Sequence, residues 1–149
     1  MPIIILQCAA KKIPGEQSSL VKYDTRQHRK VLDFMINGGW QAGWQLYFLS
    51  AGYGLVSATE TLPDYDEVLT HERQIPELVR KSAKHAKEIR DEYVTNEEDV
   101  FFYGSRAYYA AVRVVLQGLD IAHIGRGARG CGDYFSSLVG WLDGYSCAS

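Results

Sequence analysis

Short apolar runs alternate with amphipathic segments along this chain. Four continuous runs, rich in β-branched and aromatic residues, predict strands buried on both faces; they cover residues 3–6, 46–49, 100–103 and 121–124. Between them, apolar residues recur at helical spacing and predict helices over residues 26–37, 72–93, 105–117 and 133–142. Strands that alternate with helices are typical of an α/β fold. We therefore expect a single layered domain over residues 1–149, with a short, mostly parallel sheet of about four strands flanked by helices.

The segments between these elements predict loops. Residues 9–24 and 50–70 are rich in Gly, Ser, Thr, Asp and Pro, and residues 125–132 form a glycine-rich stretch. A loop as long as the one predicted over residues 50–70 usually carries function when it lies inside a compact domain.

The helix boundaries have plausible capping residues. Thr25 and Ser105 are suited to cap the amino ends of two helices, and Gly38-Gly39 is suited to end the first. Acidic and basic residues alternate at i, i+4 spacing on the helix over 72–93, which indicates a solvated face. Examples are Glu77 with Lys81 and Lys84 with Glu88.

Composition and charge exclude several classes of protein. The chain has 149 residues, 46% hydrophobic and 23% charged, which are globular values and exclude disorder, collagen and coiled coil. It has no apolar run near the roughly 20 residues that span a bilayer, and no signal-peptide pattern, so we expect a cytoplasmic protein with no membrane partner. A net charge of −2 argues against a general polyanion binder. The three cysteines and four scattered histidines predict neither a disulfide framework nor a metal site, and we expect no cofactor.

Candidate site residues follow the predicted strands. Ligands of open α/β sheets bind outside the carboxyl ends of the strands, and these ends share one edge if the strands are parallel. Small, cationic or aromatic residues stand at or after the ends of all four strands. They are Cys8, Lys11 and Lys12; Ser50 and Tyr53; Tyr103 and Gly104; and Gly125, Arg126, Gly127, Arg129 and Gly130.

The glycine-rich stretch is the most suggestive of these. Residues 125–130 match Gly-x-Gly-x-x-Gly between a strand and a helix, where backbone N–H groups bind phosphate well. Arg126 and Arg129 would add donors for phosphate oxygens. The stretch follows the last strand rather than the first, which disfavours a dinucleotide site. A plain turn with solvated arginines is the alternative.

The other candidates each have two interpretations. Cys8 is either a thiol activated by nearby cations or a packing residue. Lys11 and Lys12 either bind phosphate or are surface charge. Tyr53 either stacks on a base or fills a hinge, and Asp66 either orients a water or caps the following turn.

The order of these motifs resembles the YaaA-like family of bacterial and phage proteins, which are similar to the core of the peroxide stress protein YaaA. The resemblance spans almost the whole chain. The matching segments are Cys8 with Lys11 or Lys12, Leu49–Val56, Pro63–Asp66, Tyr103-Gly104, Gly125–Gly130 and Trp141-Leu142. It implies an association with DNA and oxidative protection, and with nucleobase modification and N-glycosidic chemistry. The helix-hairpin-helix element of YaaA has no counterpart here, so the resemblance implies a minimal α/β core.

Together, residues and resemblance favour an enzyme that acts on a nucleobase, a nucleotide, or single-stranded or modified DNA, as a hydrolase or glycosylase of an N-glycosidic bond. Asp66 would stabilise an oxocarbenium-like transition state or activate a water. Tyr65 and Ser50 are the further catalytic candidates, and Tyr53 or Tyr103 would stack on the base. The alternatives are a non-catalytic module that binds a nucleotide or single-stranded nucleic acid, and a phage or bacterial interaction protein.

Overall fold

A computed structural model describes residues 2–8, 17–18, 26–62, 69, 71–93, 100–124 and 131–146. Its strands are β1 (Ile3–Gln7), β2 (Gln17–Ser18), β3 (Gln45–Ser50), β4 (Gly54–Ser57), β5 (Thr61–Leu62), β6 (Val100–Tyr103) and β7 (Ala122–Ile124). Its helices are α1 (Arg26–Phe34), α2 (Ile75–Glu88), α3 (Arg106–Val115) and α4 (Cys131–Ser146). No helix in these ranges is long and apolar enough to cross a membrane.

The main sheet has the order β4-β3-β1-β6-β7. β1 pairs in parallel with β3 and β6, and β7 extends the parallel part beyond β6. β4 runs antiparallel to β3 at the opposite edge. The central position of β1 explains its uninterrupted apolar run. A strand that is covered on both faces has no solvent-facing positions for polar residues.

Helices cover both faces of the sheet. Neighbouring residues of a strand point to opposite faces. Phe101 contacts Trp141 of α4, whereas Phe102 contacts Tyr109 of α3. Because α1 packs on α4 and α2 packs on α3, each face carries one helix pair. The expected α/β class, with a mostly parallel sheet flanked by helices, is therefore confirmed.

The structure adds three short strands to the four that the apolar runs predicted. The sheet in the described ranges has five strands, one of them β4, and β2 and β5 form a separate antiparallel pair. These additional strands lie within the segments predicted as loops, 9–24 and 50–70. They are only two to four residues long and are surrounded by turn-forming residues, so no periodic pattern distinguishes them.

The helices agree closely with the predicted ones. After α1, a π-helical turn over Met35–Gly39 is interrupted at Gly38, whose φ of +134° is the conformation expected of a glycine that stops a helix. A 3-10 turn over Glu72–Gln74 precedes α2, and a π-helical turn over Ile89–Tyr93 follows it. Ser105 caps α3, because its Oγ accepts a bond from the Tyr108 N–H. α4 is longer than predicted, and Thr25 lies outside the described residues.

Candidate functional site

Three parallel strands deliver predicted site residues to one edge of the sheet. Cys8 follows β1, Ser50 ends β3, and Gly104 follows β6 directly after Tyr103. The Cys8 N–H continues the ladder by donating to the Leu49 carbonyl at 3.0 Å. We call this side of the sheet, where β1, β3, β6 and β7 end, the carboxyl edge. It is the place where open α/β sheets bind ligands.

Gln7 ties the ends of two strands together at the carboxyl edge. Its side-chain Oε1 accepts a bond from the Ser105 N–H at 2.6 Å. A Cβ at Gly104 would lie 2.7 Å from the Gln7 Cβ and 2.8 Å from the Phe102 ring, so the position has no room for a side chain. The glycine therefore allows the chain to turn from β6 into α3 close against β1.

Two histidines that sequence analysis set aside also bond to this edge. The Nε2 of His28 donates to the Gln7 carbonyl at 3.0 Å, and that of His123 donates to the Gly104 carbonyl at 2.7 Å. Burial lowers the pKa of His28 to about 4, and the bond to Gln7 opposes this shift. His28 is thus neutral near pH 7 and serves as a hydrogen-bond donor that fixes the end of β1.

Ser50 supports the turn between β3 and β4. It is fully buried, and its Oγ accepts bonds from the N–H groups of Gly52 at 3.2 Å and Tyr53 at 3.1 Å. On the other side of the turn, the Nζ of Lys81 donates to the Gly52 carbonyl at 2.8 Å. The geometry gives Ser50 a role in shaping this edge, and its assignment to catalysis stays a prediction.

The hydrogen bonds of α2 differ from those that the i, i+4 spacing suggested. Glu77 bonds to Arg80 rather than Lys81, with 2.9 Å from the Arg80 Nε, and this bond lowers the pKa of Glu77. Glu88 bonds to His85 and Tyr47. Lys81 thereby reaches the carboxyl edge, which makes it a cation of the candidate site that sequence analysis missed.

The backbone approaches α2 closely at the start of β4. Gly54 has a φ of +74°, and a Cβ there would lie 2.6 Å from the Oγ of Ser82. The same Oγ accepts from the Leu55 N–H at 2.8 Å and donates to the Leu78 carbonyl at 2.6 Å. These contacts lock the β3–β4 turn against the helix.

The two tyrosines predicted to stack on a base differ in exposure. Tyr103 is only 8% exposed and belongs to the hydrophobic core. Tyr53 is half-buried, with part of its ring packed on that core. Tyr53 is therefore the better placed of the two to offer a ring face to a ligand.

Hydrogen bonds through Tyr108 hold one further residue, Leu69, at the carboxyl edge. The Sγ of Cys8, which is 8% exposed, lies 3.5 Å from the hydroxyl of Tyr108 on α3. That hydroxyl also accepts from the Leu69 N–H at 3.3 Å. Leu69 is thus held beside the end of β1, three positions after Asp66 in the sequence. Because Cys8 is almost fully covered, its geometry suits the packing interpretation better than that of an exposed nucleophile.

The other predicted site residues lie outside the described residues. They are Lys11, Lys12, Tyr65, Asp66, Gly125, Arg126, Gly127, Arg129 and Gly130. Ile124, the residue before the glycine-rich stretch, ends β7 in register with Tyr103. Within the described ranges, no group of three or more His, Cys, Asp or Glu side chains could hold a metal ion.

Comparison with protein-family models, with curated proteins and with solved structures finds no match to this chain. The resemblance to YaaA-like proteins therefore stays a prediction, and the functional argument depends on the geometry of the carboxyl edge.

Proposed function

We propose that this chain binds a nucleotide, or a nucleobase within single-stranded or modified DNA, at the carboxyl edge and hydrolyses its N-glycosidic bond. The observation that carries the proposal is the contact of Leu69 and Cys8 through Tyr108. It holds Leu69, which is three positions after Asp66 in the sequence, at the edge where β1, β3 and β6 end. The proposed reaction is cytoplasmic.

The described part of this edge supplies features that a nucleotide site uses. Tyr53 offers a partly exposed ring for stacking, and a stacked base contributes about 1–3 kcal/mol. Gly52 and Gly104 keep the edge free of bulky side chains, and Lys81 places a cation beside Gly52. Arg126 and Arg129, which follow β7 in the sequence, are the proposed phosphate ligands.

Asp66 is the proposed catalytic carboxylate. Cleavage of an N-glycosidic bond develops positive charge on the sugar, and a carboxylate at that place stabilises the charge or activates the attacking water. Tyr65 precedes it and is the second candidate in this segment. A base within duplex DNA would first have to leave the stack, so single-stranded substrates should react more readily.

The test is release of free base, measured by mass spectrometry over nucleosides, nucleotides, single-stranded DNA and phage DNA with modified bases. Asp66→Asn should lower the rate by at least about 100-fold, as general acid–base groups do. Asp64→Asn is the matched control, because it makes the same change two positions earlier in the same segment. Equal rates for wild type and Asp66→Asn would disprove the proposed role of Asp66.

One observation favours a second candidate, binding without catalysis. Of the three predicted catalytic residues, only Ser50 lies within the described residues, and it is buried with its oxygen engaged in the turn. If no base is released, the same panel should be screened for thermal stabilisation, which reports binding to the folded state. Stabilisation that weakens with added salt and is lost in an Arg126→Ala plus Arg129→Ala variant would support this second function.

A further inference from the structure

Four polar side chains are connected by hydrogen bonds about one helical turn further along α2 than Lys81 and Ser82. His85 is half-buried, and its Nδ1 lies 3.0 Å from one carboxylate oxygen of Glu88. The second oxygen of Glu88 accepts from the Tyr47 hydroxyl at 3.1 Å. The Nε2 of His85 makes a close hydrogen bond with the carboxylate of Glu60. We refer to these residues, Glu60, His85, Glu88 and Tyr47, as the polar chain.

The polar chain connects the interior of the sheet with the end of β4. Tyr47 lies in the middle of β3, is buried, and meets the His85 ring edge-on with 5.6 Å between centroids. Glu60 follows β4 and also accepts from the Ser57 N–H at 3.3 Å. A carboxylate on a surface turn is thereby fixed through His85 to a buried strand.

Glu60 lies shortly before the segment that contains Asp66 in the sequence. It directly precedes β5, which pairs with β2, and the next described residue after β5 is Leu69. Leu69 is held by Tyr108, whereas Glu60 is held by His85. The segment with Asp66 therefore runs between two residues that are each bonded to a different helix of the same face.

We propose that His85 is a positioning residue that anchors the amino end of this segment through Glu60, while Tyr108 anchors its carboxyl end. His85 acts through Glu60 and needs no contact with a substrate. The effect of this anchor on catalysis rests on the proposed function, whereas the anchor itself is tested without any substrate.

Hydrogen–deuterium exchange of the 149-residue chain tests the anchor, because amides in a loosened segment exchange faster. Glu60→Ala should increase the exchange rate of the amides of residues 60–62 by about tenfold, with little change in β1. Glu60→Gln keeps an oxygen that accepts from His85 and should restore near-wild-type exchange. Glu77→Ala is the matched control. It also removes a carboxylate, but this carboxylate is exposed on α2 and bonds to Arg80 of the same helix.

A second variant separates anchoring from a general loss of stability. His85→Phe keeps a ring against Tyr47 but removes both hydrogen bonds to carboxylates. If the two residues act together, the double variant with Glu60→Ala should exchange no faster than the faster single variant. The proposal would be overturned if the effects of the two single variants on the exchange rate multiply in the double variant. It would also be overturned if exchange is unchanged in Glu60→Ala.

Activity gives the remaining measurement if base release is found. Loss of the anchor should lower kcat about tenfold and leave KM nearly unchanged, because the proposed phosphate ligands lie elsewhere in the chain. Glu60→Gln should recover kcat. An unchanged kcat in Glu60→Ala would overturn the positioning role. If exchange rises as expected but no substrate releases base, the anchor stands and the proposed function fails, so the two failures are distinguishable.

Discussion

Replacing His28 with glutamine should make the protein less sensitive to acid. In the folded state His28 is neutral and donates to the Gln7 carbonyl, and burial lowers its pKa from 6.5 to about 4. In the unfolded chain the imidazole keeps its ordinary pKa, so between these two values the unfolded state binds the proton more strongly. The contribution of neutral His28 to the free energy of unfolding is fully present above pH 6.5 and is lost progressively as the pH falls towards about 4.

The size of this effect follows from the two pKa values of His28. At pH values below both pKa values, the difference between 6.5 and about 4 lowers the free energy of unfolding by about 3.4 kcal/mol, at about 1.36 kcal/mol for each pKa unit. At about pH 5 the wild type should already have lost about 2 kcal/mol of its free energy of unfolding through this group alone. Glutamine offers an N–H donor to Gln7 but does not titrate, so His28→Gln should lack this loss.

Urea unfolding of both proteins, near pH 7 and near pH 5, measures the difference. Carboxylates titrate in both proteins, so their effect cancels when the two pH dependences are subtracted. The free energy of unfolding of the wild type should fall by about 2 kcal/mol more than that of the variant. Identical pH dependences would show that His28 is not buried as a neutral donor, and the reasoning would be refuted.

Two further changes test the structure around the carboxyl edge. Gly54→Ala should lower the free energy of unfolding by about 3 kcal/mol, since it combines a left-handed φ with a contact against Ser82; the same change at Gly140, which lies in a helix with open space around it, should be neutral or stabilising by up to about 1 kcal/mol in the same urea assay. Ser105→Ala removes the cap of α3 and should lower thermal stability by about 1 kcal/mol, whereas an unchanged melting temperature by circular dichroism would argue against the cap.

The parallel strands could be predicted because each is a continuous apolar run in a sheet covered on both faces. β1 is the clearest case, with Ile3, Ile4 and Ile5 fully buried. β4 could not be predicted, because its pairing depends on the tight turn after Ser50 and on the approach of α2 to Gly54. Tertiary contacts of this kind leave no periodic signal in four residues.

The site was predictable only in so far as it depends on topology. Parallel strands end at a common edge, so the expectation of parallel strands was enough to place Cys8, Ser50 and Gly104 at that edge. The bonds of Lys81 to Gly52 and of His85 to Glu60 did not follow from sequence, because i, i+4 spacing proposes partners within a helix and cannot weigh those on a neighbouring strand or turn. The available signal was Ser82, a polar residue at helical spacing between Leu78 and Ala86 on the apolar face of α2. Its hydroxyl bonds this helix to the sheet.

The central place of β1 has a consequence for the synthesis of the protein. Its neighbour β3 leaves the ribosome about 40 residues later, and its other neighbour β6 only about 100 residues later, since Ile3 pairs with both Gln45 and Val100. At about 5–20 residues per second, β1 waits roughly 5–20 s for its second partner. During this time its apolar side chains and one set of its backbone hydrogen-bonding groups lack their final partners. Nascent chains should therefore engage chaperones through β1, and slower translation should increase aggregation.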